Sequence, residues 1–180
     1  MGSALGNLDT VRFSKVCSSC RDSLPVAYFR QRGRAKLCAW CEYDSPRLRA
    51  ERRWVDIRRR NREHPDTLAI SKEDFVSWYA SQPDQCSYCG LTRTEKKTLR
   101  VLNRSGRCYV SWDIDRLQPG ARGGKYEQGN LALACWCCNY WKSDRYTPDQ
   151  ARVEGQARRR VWDAQLALIN RRRPSRRGPA

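Results

Sequence analysis

The sequence contains no long hydrophobic run, and this excludes a membrane-spanning protein. No stretch of the 180 residues approaches the roughly 18 consecutive apolar residues that a transmembrane helix needs. Residues 1–10 also lack an apolar segment of signal-peptide length, so we do not expect secretion. A length of 180 residues leaves room for one domain or two very small ones. Hydrophobic residues make up only 39% of the chain.

Acidic residues and histidine are scarce as well. The chain has 19 Asp and Glu against 36 Lys and Arg, which gives a formal net charge of +17. This charge favours a polyanionic partner, and arginine offers planar, bidentate contacts to phosphate. A solvated basic surface on a soluble protein is the alternative. The single histidine, His64, has no partner residue near it in the sequence, so we expect a surface position and no catalytic role.

Cysteine is abundant and regularly spaced. Ten cysteines resolve into four Cys-x-x-Cys pairs plus Cys108 and Cys137. A gap of two residues lets both thiolates reach one tetrahedral ion, whereas a disulfide framework belongs to a secretory context. We predict two structural zinc sites, which contribute about 10–16 kcal/mol each to folding. Their ligands are Cys17, Cys20, Cys38 and Cys41 in the first site and Cys86, Cys89, Cys135 and Cys138 in the second.

Other uses of these cysteines stay open at this point. The pairs could be reduced free thiols or redox-active dithiols, and Cys137 could replace Cys138 in the second site. Thiolates imply a reducing intracellular compartment, such as the cytosol, the nucleus or an organelle matrix, without indicating which.

An arginine-rich helix is predicted over residues 47–62, after a serine cap and a proline at its first position. The segment contains eight arginines but only two acidic residues. Leu48, Val55 and Trp54 form the only predicted apolar stripe, which is narrow. We therefore expect phosphate to hold this helix; a solvated linker between two zinc modules is the alternative.

Two more helices carry clear start signals. Ser71 and Asp74 resemble a capping box, and that helix ends before Pro83. Thr147 caps the last helix, which has Pro148 at its first position. Apolar residues at helical spacing predict a core-facing stripe on the last helix, formed by Val153, Ala157, Val161, Ala164 and Leu168.

Between these helices the pattern changes to strands. We predict a strand at 98–102, a turn at 103–106 and a second strand at 107–115. The second strand alternates, so Asp113 and Asp115 share its polar face. A glycine-rich loop and a short apolar strand at 130–134 follow, and the turn at Cys135 to Cys138 then opens another helix.

The order of these motifs resembles the zinc-containing HNH endonuclease family. From Cys86 it runs Cys-x-x-Cys-Gly, a hairpin ending in Asp115-Arg116, Gly123-Gly124, Asn130-Leu131 and Cys135-x-x-Cys138-Asn139-x-x-Lys142. The resemblance covers about residues 84–145 and implies a ββα-metal fold. We expect a small α+β protein consisting of a zinc ribbon (11–43), a helical connector (44–82), an HNH-like domain with a structural four-cysteine zinc site (83–146), a C-terminal helix (147–170) and a basic tail (171–180).

The resemblance also implies roles for four residues. Asp115 and Asn139 would help to bind one divalent ion, Mg²⁺ or Mn²⁺, and Asn130 would stabilise the loop. The family places its general-base histidine where this chain has Arg116. A guanidinium has a pKa above about 12 and cannot accept a proton, so the usual base is missing.

Two outcomes follow for this site. In an enzyme, Arg116 would clamp the scissile phosphate while Asp113, Tyr126 or a metal-bound water supplies the base. In a binding protein, the decayed site would grip phosphate through Arg116, Arg122 and Lys125, together with Lys142. A salt bridge from Arg116 to Asp113 or Asp115 is a third interpretation.

We predict a nucleic-acid-binding protein, a metal-dependent endonuclease if active, acting on DNA or RNA. The alternative is a structural RNA-binding subunit of a large ribonucleoprotein such as an organellar ribosome. A transcription factor is less expected, because no helix shows Asn or Gln in a base-reading register. The predicted phosphate contacts are Arg52, Arg53, Arg58, Arg59, Arg60, Arg122, Lys125, Lys142, Arg171, Arg172, Arg173, Arg176 and Arg177.

Overall fold

The computed structural model describes residues 14–29, 35–64, 67–99 and 111–172. Within these ranges the chain forms two small antiparallel sheets and six α-helices. The first half contains β1 (Ser14–Val16), β2 (Ser23–Pro25), α1 (Ala39–Glu42), α2 (Pro46–Arg60), α3 (Lys72–Ser81) and α4 (Arg93–Thr98). The second half contains β3 (Asp113–Arg116), β4 (Leu131–Ala134), α5 (Trp136–Lys142) and α6 (Pro148–Arg172). None of these helices is both long enough and apolar enough to span a bilayer.

The N-terminal sheet encloses a small core of its own. β1 pairs with β2 in an antiparallel register, and Phe29 forms an isolated bridge with Cys38. Tyr28, Phe29 and Trp40 are buried around the first group of cysteines. These three rings are the aromatic filling that a minimal ribbon with little apolar sequence needs to exclude water.

Helix α2 packs on the rest of the protein through a face that includes only one residue of the predicted apolar stripe. Leu48 and Val55, the expected apolar stripe, are exposed. Trp54, the third residue of the predicted stripe, is buried together with Ile57, and its ring lies 5.4 Å from the ring of Phe75 in α3. The prediction of a stripe through Leu48 and Val55 was therefore wrong, and the helix is anchored by the protein itself.

Two arginines share the buried face of α2. Arg49 Nη2 lies 2.8 Å from Asp84 Oδ2, and Arg53 Nη2 lies 2.9 Å from Asp113 Oδ1. Each guanidinium is almost fully buried, at 2% and 3% side-chain exposure. A buried charge is tolerated only when it is paired, so these ion pairs explain why arginine occupies an interior face.

Helix α3 begins as its capping signal predicts. The Ser71 hydroxyl accepts a hydrogen bond from the backbone N–H of Asp74 at 3.0 Å, and the helix ends at Ser81, before Pro83. Its buried residues, Phe75, Trp78 and Tyr79, join the main core.

Helix α4 includes Thr98, the first residue of the strand predicted at 98–102. Thr92 and Glu95 form a complete capping box, in which each side chain accepts from the other's backbone N–H. This local signal starts a helix that runs to Thr98, so the strand prediction was wrong at its first residue. The remainder of that predicted hairpin, residues 100–110 with Cys108, lies outside the described residues.

The second sheet lies at the centre of the larger core. Asp113 is opposite Ala134 and Arg116 is opposite Leu131, so β3 and β4 pair along their full lengths. All four residues of β4 are buried. Asp113 and Asp115 are buried too, because α2 and α5 contribute partners that cover this face. The expected polar face of β3 is therefore inside the protein.

The last helix, α6, is capped as predicted but faces the other way. Gln150 N–H donates to Thr147 Oγ1 at 3.3 Å, and Thr147 N–H donates to Gln150 Oε1 at 3.0 Å. However, the five residues of the predicted core-facing stripe are exposed, with Val161 at 55%. The buried side of the helix includes Gly155, where a Cβ would overlap the backbone carbonyl of Tyr88. Because only glycine permits this close approach, the face of α6 that carries Gly155 is the one that packs against the rest of the protein.

Candidate functional site

The eight paired cysteines come together as the two predicted tetrads. In each tetrad the four Sγ atoms lie within 4.8 Å of one another. A tetrahedral ion with metal–sulfur bonds of about 2.3 Å holds its sulfur atoms roughly 3.8 Å apart. The Sγ atoms of Cys20 and Cys38 are 4.0 Å apart, and those of Cys89 and Cys135 are 3.8 Å apart. Disulfides require about 2.05 Å, so both tetrads have the donor set and spacing of a four-sulfur metal site.

Backbone N–H groups favour the thiolate form of Cys17 in the first tetrad, whereas burial raises the pKa of Cys20 and of Cys38. The N–H of Cys38 donates to Cys17 Sγ at 3.3 Å. Burial alone would raise the pKa of Cys17, but N–H groups of Cys38, Cys20 and Ser19 lower that pKa to about 6. Because a metal-bound cysteine must be deprotonated, these hydrogen bonds suit Cys17 to bind an ion.

The second tetrad joins two segments that are distant in the sequence. It connects the turn at 86–89 to the turn at 135–138 that opens α5, and all four cysteines are buried. Cys138 N–H donates to Cys135 Sγ at 3.4 Å. Cys138, and not Cys137, belongs to the tetrad, which decides between the two assignments that the spacing left open.

A cavity of about 590 Å³ opens between β3, α5 and the loop that follows β3. Asp115, Arg116 and Asn139 all line it, together with Arg60 at the end of α2. Three of the four residues that the family resemblance identified therefore border one space. The antiparallel β3–β4 pairing places the start of β3 beside the end of β4. Helix α5 follows β4 and runs alongside β3, with Asn139 bonded to Asp113 and Lys142 bonded to Asp115.

Asp115 is held at the cavity wall by two partners. Lys142 Nζ lies 3.1 Å from both carboxylate oxygens, and the Tyr88 hydroxyl donates to Oδ2. Burial raises the pKa of the Asp115 carboxyl, and Tyr88 and Lys142 oppose that rise. The Lys142 side chain is 0% exposed and also donates to the carbonyl of Arg116 at 2.9 Å. The predicted contact of Lys142 with nucleic acid is incompatible with this burial.

Arg116 is held in place by an aromatic ring and a carbonyl, and no ion pair joins it to a carboxylate of the described residues. Its guanidinium carbon lies 4.6 Å from the centre of the Tyr126 ring, and Nη1 donates to the carbonyl of Gly124 at 3.2 Å. Gly120 makes room for it, since a Cβ there would overlap the guanidinium. A neutral ring and a carbonyl orient the cation without neutralising it, so an anion entering the cavity meets a positive charge.

The proposed salt bridge from Arg116 to Asp113 or Asp115 is not among the ion pairs of the described residues. Arg53 pairs with Asp113 and Lys142 pairs with Asp115. This also removes Arg53 from the set of surface cations, because its guanidinium is used inside the protein.

Asn130 holds the loop that follows β3. Its Oδ1 accepts from the N–H of Gln118 at 2.6 Å, and its Nδ2 donates to the carbonyls of Gln118 at 3.2 Å and Lys125 at 2.9 Å. Gly124 fits into the same turn, where a Cβ would overlap the carbonyl of Gln118. These bonds connect the two ends of the loop.

Asp113 lies behind the cavity and does not line it. Its Oδ1 accepts from Arg53, and its Oδ2 accepts from Asn139 Nδ2 at 3.2 Å. Both oxygens are engaged by donors, so Asp113 is not placed to remove a proton from a molecule in the cavity.

An aromatic and cationic segment beside the cavity was not identified from the sequence. Tyr140, Trp141, Arg145 and Tyr146 all line the cavity. The rings of Trp141 and Tyr146 stack with centroids 4.0 Å apart, and Tyr140 is 61% exposed. The signal available in the sequence was the density of aromatic residues directly after the last Cys-x-x-Cys pair.

Most of the predicted phosphate-binding cations that the structure describes are exposed. Arg52, Arg58, Arg59 and Arg60 are exposed on α2, and Arg122, Lys125 and Arg171 are exposed elsewhere. Arg172 ends α6, and Arg173, Arg176 and Arg177 lie outside the described residues.

The cavity residues can accommodate a hard divalent cation. Asp115 offers a carboxylate and Asn139 an amide carbonyl, which are the oxygen ligands that Mg²⁺ and Mn²⁺ accept. A carboxylate has about four acceptor positions, so Asp115 retains acceptor capacity beside Lys142 and Tyr88. The donor set fits a Mg²⁺ ion that takes its other ligands from water and phosphate.

No family model matches the chain, and no curated protein matches it. One solved structure resembles it, that of the rare-cutting HNH restriction endonuclease PacI, with a TM-score of 0.56 and 23% sequence identity. The alignment covers 83% of this chain and 96% of that chain.

The protein therefore has an HNH-type fold. The similarity extends over nearly all of the other structure, and the two cysteine tetrads fit zinc sites. The predicted small α+β architecture is confirmed.

Proposed function

We propose that the protein binds DNA and hydrolyses its phosphodiester bonds at the cavity that Asp115, Arg116 and Asn139 line. The observation that supports this most strongly is the meeting of these three residues in one space within an HNH-type fold. DNA is proposed because the similar structure is that of a restriction endonuclease. No comparison supports the alternative of a ribonucleoprotein subunit, and we do not propose it.

Both cysteine tetrads are proposed to hold Zn²⁺. Four thiolates around a tetrahedral ion form a closed site with no open coordination position, so these ions stabilise the fold and take no part in chemistry. In the described part of the N-terminal ribbon the core contains seven buried residues, and a domain of this size needs a bound metal ion to fold.

Asp115 and Asn139 are proposed to hold one Mg²⁺ or Mn²⁺. When bound, such an ion stabilises the charge that develops on phosphate oxygens as the phosphodiester bond breaks. Lys142 keeps the Asp115 carboxylate in place, and the Asn130 bonds keep the following loop closed over the cavity edge.

Arg116 is proposed to clamp the scissile phosphate. A guanidinium presents two parallel N–H donors that match two phosphate oxygens, and Tyr126 and Gly124 hold it in position. It cannot accept a proton, and Asp113 faces away from the cavity. Tyr126 and water in the cavity are the candidate proton acceptors for attack on phosphorus.

The C-terminal end of α2 is proposed to bind the phosphates of the DNA backbone. Arg60 lines the cavity. On the neighbouring surface a groove of about 510 Å³ is lined by Arg58, Arg59, Arg62 and Lys72, and none of the described residues that line it is acidic. Each phosphate that a cation neutralises releases counterions and steepens the salt dependence of binding by about 0.9.

Cleavage assays with matched asparagine variants test the catalytic proposal. Zinc-loaded protein is incubated with plasmid DNA and Mg²⁺ or Mn²⁺. Asn139→Ala removes one proposed ligand and should lower the cleavage rate by about 10–100-fold or more. Asn170→Ala, at an exposed position on α6, should cut like the wild type. Equal rates for Asn139→Ala and wild type would contradict the assignment, and a folded wild type without cleavage would contradict the proposed activity.

The binding surface has a test of its own. Replacing Arg58 and Arg59 with glutamine should reduce the slope of log affinity against log salt by about 2. The matched double variant at Arg47 and Arg152, two exposed arginines outside the groove, should leave the slope unchanged. Identical slopes for the two double variants would refute the groove as a DNA contact.

A further inference from the structure

A buried hydrogen-bonded chain links helix α2 to the last residue of the proposed divalent-metal site. Arg53 Nη2 donates to Asp113 Oδ1 at 2.9 Å, and Asn139 Nδ2 donates to Asp113 Oδ2 at 3.2 Å. Arg53 and Asp113 are buried, and neither lines the cavity. Asn139 is the member of this chain that does line it.

The chemistry of Asp113 determines which way the Asn139 amide points. A carboxylate only accepts hydrogen bonds, so the amide nitrogen must face it and the carbonyl oxygen must face away. The reverse orientation would bring the carbonyl oxygen against a buried negative charge. By holding the amide nitrogen, Asp113 turns Oδ1 of Asn139 away from itself and towards the cavity. Oδ1 is the only atom of that amide able to bind a cation.

Arg53 supplies the positive charge that allows the Asp113 carboxylate to be buried at this position. An unpaired carboxylate buried in the protein interior is energetically costly. The guanidinium 2.9 Å away compensates the charge. Asp56 also lies near Arg53, with its Oδ2 3.6 Å from Nη1, but no hydrogen bond joins Asp56 to Asn139.

We infer that Asp113 is a positioning residue which, supported by Arg53, orients the Asn139 amide so that its oxygen can bind a divalent cation. This inference rests on the proposed function and adds two residues that the family resemblance did not identify. Asp113 acts through Asn139 and touches neither the ion nor the DNA.

The test exchanges the polarity of the hydrogen bond. In Asp113→Asn the new side chain has one acceptor, which Arg53 claims, so its NH₂ group faces Asn139 and turns that amide around. Affinity for Mn²⁺ should fall by about 10–100-fold. In the double variant Asp113→Asn with Asn139→Asp, the NH₂ of residue 113 donates to the new carboxylate, an oxygen again faces the cavity, and affinity should return to within a few fold of wild type.

The measurement is calorimetric titration of Mn²⁺ into the zinc-loaded protein without DNA, alongside the Mg²⁺ concentration for half-maximal cleavage. Asp56→Asn is the control, because it removes a carboxylate near Arg53 without touching Asn139; it should leave Mn²⁺ affinity unchanged. Unfolding midpoints of all variants are measured in parallel. A purely structural role predicts a lower midpoint for Asp113→Asn with unchanged Mn²⁺ affinity.

The outcomes separate this inference from the function on which it rests. If wild type binds Mn²⁺ and Asp113→Asn binds it equally well, or if the double variant fails to recover, the positioning role is refuted. If the folded wild type neither binds Mn²⁺ nor cleaves DNA, the proposed function itself is refuted, and this inference with it.

Discussion

Replacing Lys142 with methionine tests whether that residue is an internal counter-charge or a surface cation. Methionine keeps most of the volume and apolar length of the side chain but removes the ammonium group. Lys142 Nζ is 3.1 Å from Asp115 and is fully buried. A lysine on the surface could be replaced at a cost within about 0.5 kcal/mol.

The structure predicts a much larger effect. Two unit charges roughly 3 Å apart attract by about 5 kcal/mol at an effective dielectric constant of about 20. Removing one partner of a buried ion pair typically costs about 3–5 kcal/mol, because the other charge is left uncompensated. The hydrogen bond from Lys142 to the carbonyl of Arg116 is lost as well. We expect the free energy of unfolding to fall by about 3–5 kcal/mol.

The assay is urea unfolding of zinc-loaded protein, followed by tryptophan fluorescence. The double variant Asp115→Asn with Lys142→Met removes both charges, while Tyr88 can still donate to the new amide oxygen. It should recover most of the stability that the single variant loses, because a buried pair replaced as a whole is often close to neutral. A loss below about 1 kcal/mol in the single variant, or a double variant no more stable than the single one, would refute the reasoning.

Three further predictions use other parts of the molecule. Cys135→Ser should lower the bound zinc from two ions per chain, as the two tetrads imply, to one, whereas Cys137→Ser should keep both; native mass spectrometry that finds equal metal contents would contradict the tetrad. Gly124→Ala should destabilise the fold, because a Cβ there overlaps the backbone of Gln118, whereas Gly120→Ala should displace only the Arg116 guanidinium and impair cleavage without lowering the unfolding midpoint. Equal unfolding midpoints for the two variants would contradict this distinction. Arg159 on α6 lowers the pKa of Glu95 to about 2. The Glu95–Arg159 ion pair therefore stabilises the protein fully above about pH 4–5, and this stabilisation is lost as the pH falls towards 2. The stability difference between wild type and Glu95→Gln should shrink over that range, and a difference independent of pH would exclude the pair as its cause.

Features encoded within a few residues could be predicted from the sequence. The tetrads follow from Cys-x-x-Cys spacing, because a two-residue turn fixes the relative position of two thiolates. The starts of α3 and α6 follow from capping residues, which act on N–H groups in the same helical turn. The cavity residues Asp115, Arg116 and Asn139 were identified through the family resemblance rather than from any local signal.

Features that depend on distant partners could not be predicted in this way. Arg53 reads as a surface cation because its partner, Asp113, is 60 positions away. Lys142 reads as a phosphate contact for the same reason, since nothing near it in the sequence indicates that Asp115 will meet it inside the core. Charge count alone therefore overestimates the cationic surface, because some of the positive charges are consumed by buried carboxylates.

The orientation of α6 illustrates a different limit. Apolar residues occur at helical spacing on two faces of α6, and the spacing alone does not indicate which face packs against the rest of the protein. Gly155 was the informative residue, because only a glycine allows the helix to approach the Tyr88 carbonyl so closely. A glycine in mid-helix usually costs stability, so its presence there is a packing signal that hydrophobic periodicity does not weigh.

The measurement that tests the central claim most directly is cleavage of supercoiled plasmid by the zinc-loaded wild-type protein across a Mg²⁺ titration. Hydrolysis at the cavity predicts nicked and linear products that rise with Mg²⁺, disappear when the ion is chelated and return when it is restored. Intact plasmid at every Mg²⁺ and Mn²⁺ concentration, from protein shown to be folded and to hold both zinc ions, would contradict it.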